Sequence, residues 1–125
     1  MSWEIEYTDQ FDQVWLQLSE DEQHAVSVRV KLLAEIGPDL KRPYVDVIKT
    51  SRFPNMKVLI LPKGSLELRV LFAFDPLRMA LLLILGDKST NDLTTPNWND
   101  WYDTFIPIAD DLFAAHLSNL AKQRN

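Results

Sequence analysis

Trp3, Ile5 and Tyr7 alternate with Ser2, Glu4 and Glu6, a period of two that predicts a short strand over residues 2 to 7 with one buried face. Thr8 or Asp9 is placed to cap a helix in which Phe11, Val14, Trp15 and Leu18 recur at helical spacing. Ser19 followed by Glu22 fits a capping box. It opens a second helix that carries Val26, Val30, Leu33 and Ile36 on one stripe and stops at Gly37-Pro38. The period is then lost from Asp39 to Asn55, a stretch with Pro43 and Pro54 that reads as a loop holding at most a short extended piece. Three strand-like runs follow, Met56 to Leu61, Leu66 to Phe74 and Leu77 to Leu85. The intervening Pro62-Lys63-Gly64-Ser65 and Asp75-Pro76 suit hairpin turns.

In the middle run Leu66, Leu68, Val70, Phe72 and Phe74 share one face, while Glu67, Arg69, Leu71 and Ala73 share the other. Arg69 therefore leaves the less apolar face. The last run is apolar on both sides, as a strand covered on both faces would be. Beyond Gly86-Asp87-Lys88 and a polar stretch, Trp98, Trp101, Tyr102, Phe105 and Ile106 return to helical spacing until Pro107. A final helix is predicted from Ala109 through about Lys122, with Asp110 and Asp111 in its first turn. No repeat is present. The order is a strand, two antiparallel helices, a three-stranded antiparallel meander and a C-terminal helix, an α+β domain.

At 125 residues the chain falls within the roughly 50 to 250 residues of one domain, so residues 1 to 125 are read as a single unit. With 46% hydrophobic residues and only three glycines it has the composition of a globular protein able to bury a core. There is no cysteine, which removes disulfides, thiolate metal sites and a cysteine nucleophile. The acidic, alternating start is unlike an export signal, and the longest apolar run, residues 79 to 85, is far short of the ~20 residues of a spanning helix. A cytoplasmic protein is the simplest expectation.

The net charge of −5 conceals a reversal. Residues 1 to 40 hold nine acids against two bases, and residues 79 to 125 six against three. Residues 41 to 78 hold Lys41, Arg42, Lys49, Arg52, Lys57, Lys63, Arg69 and Arg78 against Asp46, Glu67 and Asp75. A basic segment in an acidic chain suits an anionic ligand or an acidic partner, although bases that merely neutralise neighbouring helices give the same pattern. His24 reads as a surface residue, and His116 as either a base near the basic strand or a half-buried packing residue. Two distant histidines do not suggest a metal site, and no glycine-rich phosphate loop or nucleophile elbow is present.

The segment Leu68-Arg69-Val70-Leu71-Phe72-Ala73-Phe74-Asp75-Pro76 resembles the arginine-bearing central strand of RelE/HigB-type toxins, and most of all their phage-derived branch. Gly37-Pro38 before the basic loop, Asn55-Met56-Lys57 opening the next strand, and Gly86-Asp87-Lys88 after the last one fit the same pattern, which covers roughly residues 1 to 90. The resemblance implies a RelE-like fold and metal-independent, cofactor-free cleavage of messenger RNA on the ribosome. The ribose 2′-hydroxyl would attack its own phosphate. It further implies an antitoxin partner, expected to be a small helix-turn-helix DNA-binding protein.

By that resemblance Arg69 lies under the scissile phosphate, Lys57 adds charge or acts as base, and Lys88 follows the last strand as a further cation. Arg69 also suits a cross-strand pair with Glu67, Asp75 or Asp87. Tyr102 would supply an aromatic hydroxyl and Trp98 or Trp101 a stacking surface, the other reading of these aromatics being a helix core stripe. Lys41, Arg42, Lys49, Arg52 and Arg78 are the expected RNA-binding cations, joined by Trp101. Leu59 stands where cleaving members often carry a second lysine, and residues 91 to 95 hold neither the tyrosine nor the histidine found there. These departures favour a binding module that has kept the fold and acts through its partner. A third reading, a scaffold domain unrelated to toxins, would use the Trp-rich tail as its contact surface.

Overall fold

The computed structural model describes residues 2–61, 67–88 and 100–123. Strand β1 (Glu4–Tyr7) leads through helices α1 (Asp9–Trp15) and α2 (Glu20–Ile36) and a 3-10 turn (Gly37–Asp39) into β2 (Val45–Val47). Strands β3 (Met56–Ile60), β4 (Leu68–Phe74) and β5 (Met79–Asp87) follow, and α3 (Asp100–Gln123) ends the described chain. The strands form one sheet in the order β1-β5-β4-β3-β2, in which β1 runs parallel to β5 and all other neighbours are antiparallel. The predicted meander is thus the centre of a five-stranded sheet, and the short extended piece of the 39 to 55 stretch is its β2 edge.

Local chemistry explains the helix starts. Thr8 Oγ1 accepts from the Phe11 amide at 3.1 Å and donates to the Leu83 carbonyl at 2.6 Å, so it both caps α1 and ties it to β5. At α2 the Ser19 hydroxyl accepts from the Glu22 amide while the Glu22 carboxylate accepts from the Ser19 amide, the predicted reciprocal cap. Gly37 closes α2 at φ 72, where an added Cβ would run into the Trp3 indole.

Each sheet face carries a core. Leu68, Val70, Phe72 and Phe74 of β4 pack with Leu59, Leu82, Val26, Leu33 and Phe11 under α1 and α2. Leu71 and Ala73 pack with Met56, Val58, Leu83, Trp101, Ile106 and Phe113 under α3. The expected alternation along β4 holds. A register shift between Leu71 and Phe72 skips Leu83 in the pairing, so Leu83 and Ile84 both face α3. β5 is apolar on both faces because helices cover both, α1 and α2 on one side and α3 on the other.

Several boundaries differ from the sequence reading, most of all at β5 and α3. β5 begins at Met79 because the Asp75 amide donates to the Met79 carbonyl across a turn in which Arg78 takes φ 64. It ends at Asp87, with pairing continued from the Lys88 amide to the Glu67 carbonyl at 3.1 Å. Pro107 does not end a helix but lies inside α3. It occupies an exposed position, as does Asp103, whose carbonyl loses its intrahelical partner, while Trp101, Ile106, Ala109 and Phe113 hold the buried side. The predicted turn at residues 62 to 65 and Trp98 lie outside the described residues.

Candidate functional site

The site is built where β4 and β5 begin and end side by side. Arg69 pairs with Gly86 across the ladder and points to the α3 face. Gly86 lacks a Cβ, and one placed there would stand 2.7 Å from Trp101 Nε1, so the indole lies directly on the strand backbone. That contact docks the start of α3 and brings the next residue, Tyr102, over Arg69. Trp101 is only 2% exposed and meets Tyr102 edge to face at 5.2 Å. Its expected role as a stacking surface for a base is therefore corrected: the ring is consumed in packing.

Among the described residues, Arg69, Glu67, Lys88 and Tyr102 gather here. Arg69, 12% exposed, has Nη2 4.0 Å from Glu67 Oε1 and donates from Nη1 to the Leu68 carbonyl at 2.9 Å. Lys88 Nζ is also 4.0 Å from Glu67 Oε1 and 5.9 Å from the centre of the Tyr102 ring. Burial pushes the Tyr102 phenol above its ordinary value, and the adjoining Arg69 guanidinium opposes that rise. The phenol is consequently a protonated donor at neutral pH. Glu67 was legible only as a possible partner for Arg69; the alternation that puts both on one face was the signal for its place in the site.

Lys57 is not part of this group. It pairs with Phe72, so its side chain leaves the other face of the sheet, where Nζ approaches the Pro38 carbonyl at 3.4 Å and the Phe74 ring at 5.5 Å. Burial lowers its pKa, with Asp39 opposing and Lys41 adding to the fall. The sequence expectation that Lys57 and Arg69 share one site is corrected by this register. Lys57→Met should accordingly leave any activity that depends on Arg69 at the wild-type level; its loss in a folded variant would contradict the placement.

Among the described residues the basic segment likewise does not form one patch. Lys41 acts on Lys57, on the α2 side. Arg42 bonds Asp46 at 2.6 Å, and Lys49 lines a pocket that includes Tyr102. Arg52 pairs with Asp111 at 2.9 Å, and its loop is tied to α3 by the buried Asp110, which accepts from the Ser51 hydroxyl and the Arg52 amide. Arg78 lies over Trp3 at 4.3 Å beyond the far end of β4, roughly 20 Å of strand from Arg69. His24 is exposed. His116 stacks on Phe113 and binds the buried Asp75 at 2.7 Å, which makes it a packing residue at that far end.

Among the described residues no group of acids and histidines could hold a metal ion, and no helix is long and apolar enough to cross a membrane.

Comparison with known proteins gives a consistent result. The family described as phage derived protein Gp49-like matches residues 13–114. A putative toxin HigB3 of Mycobacterium tuberculosis is 45% identical over 101 residues, covering 81% of this chain and 82% of that protein. A putative toxin HigB2 of the same organism is 41% identical over 106 residues, covering 83% of this chain and 50% of that protein. Among solved structures, an arginine-substituted mutant of Escherichia coli toxin RelE in the free state superposes with a TM-score of 0.58. The match covers 73% of this chain and 88% of that one at 10% identity, which speaks to the fold alone.

Proposed function

We propose, since this chain belongs to the phage-derived Gp49-like family and is a toxin of the RelE/HigB kind, that it cleaves messenger RNA on the ribosome and so stops translation. The observation that supports this most is the clustering of Arg69, Lys88, Tyr102 and Glu67 around one end of the α3-covered face.

The reaction these groups suit is internal attack. The 2′-hydroxyl oxygen bonds the neighbouring phosphorus as its proton leaves to a base, and the P–O5′ bond breaks as the departing 5′ oxygen gains a proton. The products are a 2′,3′-cyclic phosphate and a 5′-hydroxyl. Charge grows on the phosphoryl oxygens, and cations aimed at them in a partly desolvated site supply the largest share of stabilisation. Arg69 offers a two-pronged donor that stays charged when half-buried, and Lys88 adds a second positive charge. Glu67 is the carboxylate placed to take the hydroxyl proton, and the protonated Tyr102 phenol is the acid for the leaving oxygen. An antitoxin, read as a helix-turn-helix DNA-binding protein, is the partner that would hold the activity in check.

A second reading keeps the fold as a binding module acting through that antitoxin. It is favoured by Glu67, which stands 4.0 Å from both cations and offsets one of their two charges. Tyr102→Phe separates the two readings because it keeps the ring and removes only the hydroxyl. The enzyme reading expects cleavage, measured as new 5′ ends in message after induction, to fall about a hundredfold at unchanged thermal stability. An unaltered cleavage rate would remove Tyr102 from the chemistry, and intact message with folded wild type would leave the binding module.

A further inference from the structure

We infer that the pocket beside the cationic cluster reads a guanine of the RNA, with Asp103 as its selecting residue. This rests on the ribonuclease reading and adds a base preference to it. The pocket, about 460 Å³, opens between the β2 segment and α3. Its apolar floor is made by the buried Ile48, Val58 and Ile106, and Tyr102 forms one wall. Tyr102 also faces Arg69, so a base seated in the pocket is within a nucleotide of a phosphate at the guanidinium.

The rim decides what fits. Asp46 and Asp103 bring two carboxylates, which repel a phosphate from the pocket itself and leave it to a flat, neutral group. Asp46 is already engaged by Arg42 at 2.6 Å and by the Val47 amide at 2.8 Å. Asp103, exposed on α3, and Lys49, exposed after β2, are therefore the groups at hand for a ligand.

A carboxylate recognises two adjacent N–H donors, and an ammonium recognises a carbonyl. Guanine alone presents that set on one edge: N1–H and the N2 amino group side by side, with O6 next to them. Adenine and cytosine set a single amino donor beside a ring acceptor, and uracil flanks one N–H with two carbonyls. Reading single-stranded RNA by this edge, over an apolar floor and against an aromatic wall, is the usual way proteins select a base.

The test maps new 5′ ends across the transcriptome after induction of wild type, Asp103→Asn, Lys49→Gln and Arg69→Ala. Wild-type cuts should be enriched in guanine at one fixed position beside the break. Asp103→Asn turns one acceptor into a donor and should cut that enrichment about tenfold, with Lys49→Gln lowering it at the same position. Both residues are exposed, so the folded state is preserved, as circular dichroism would verify. Arg69-dependent cuts whose base frequencies are identical in wild type and Asp103→Asn would overturn the guanine pocket while leaving the ribonuclease in place. An absence of cuts by folded wild type would overturn both.

Discussion

Arg69→Ala should abolish growth arrest and lower message cleavage by at least about a hundredfold, while the protein stays folded. The size of the effect follows from position. Arg69 is 12% exposed, its guanidinium faces Tyr102 and Glu67, and Gly86 across the ladder gives no side chain that could replace it. Removing it takes away the cation best placed to meet charge developing on a phosphoryl oxygen, and leaves Glu67 as a repelling carboxylate. Arg69→Lys should retain a part of the activity, because a point charge remains but the two-pronged donor geometry is lost. Cleavage by Arg69→Ala at the wild-type rate would remove the cluster from the chemistry.

The second large effect is on stability and lies at the other end of β4. Asp75→Ala should destabilise the fold by about 3 kcal/mol or more, read as a fall in Tm of roughly 10 °C. The Asp75 side chain is fully buried. Its Oδ1 accepts from the Leu77 and Met79 amides at 2.8 and 3.0 Å, and its Oδ2 meets His116 Nε2 at 2.7 Å. Alanine strands all three partners at the point where the β4–β5 turn is closed and α3 is pinned to the sheet. Asp75→Asn should lose less, since an amide oxygen still accepts from both turn amides. Unfolding within about 1 kcal/mol of wild type for Asp75→Ala, small against the usual spread of single substitutions, would show that the network is dispensable.

Much of this architecture was visible in the sequence because it is locally encoded. Short apolar runs between turn-forming residues, with a period of two in β4, marked β3, β4 and β5 to within two residues, and Ser19 with Glu22 marked the start of α2. Pro107 misled because a local rule, helix termination, was overruled by the buried stripe of α3 on either side of it. The parallel pairing of β1 with β5 and the skipped Leu83 are relations between distant segments and leave no local pattern.

The site divides along the same line. Arg69, Glu67 and Lys88 come together through strand alternation and the end of the β4–β5 hairpin, both of which a sequence displays. The face taken by Lys57 depends on register, Lys57 opposite Phe72 and Ile60 opposite Arg69, which the sequence pattern of the two strands does not reveal on its own. Trp101 carried the signature of either a stacking platform or a core residue, and only its position over Gly86 decides for the core. Asp103 and the loop anchored by Asp110 become functional neighbours through the docking of α3, some fifty residues further along the chain.

The most direct test adds the purified chain to a defined translation reaction stalled at a known codon and maps the message ends by primer extension, with Arg69→Ala in parallel. A single cut in the ribosome-bound message with a 2′,3′-cyclic phosphate on the upstream fragment, absent with Arg69→Ala, is the predicted result. Intact message in the presence of folded wild-type protein, or equal cutting by both proteins, would contradict it.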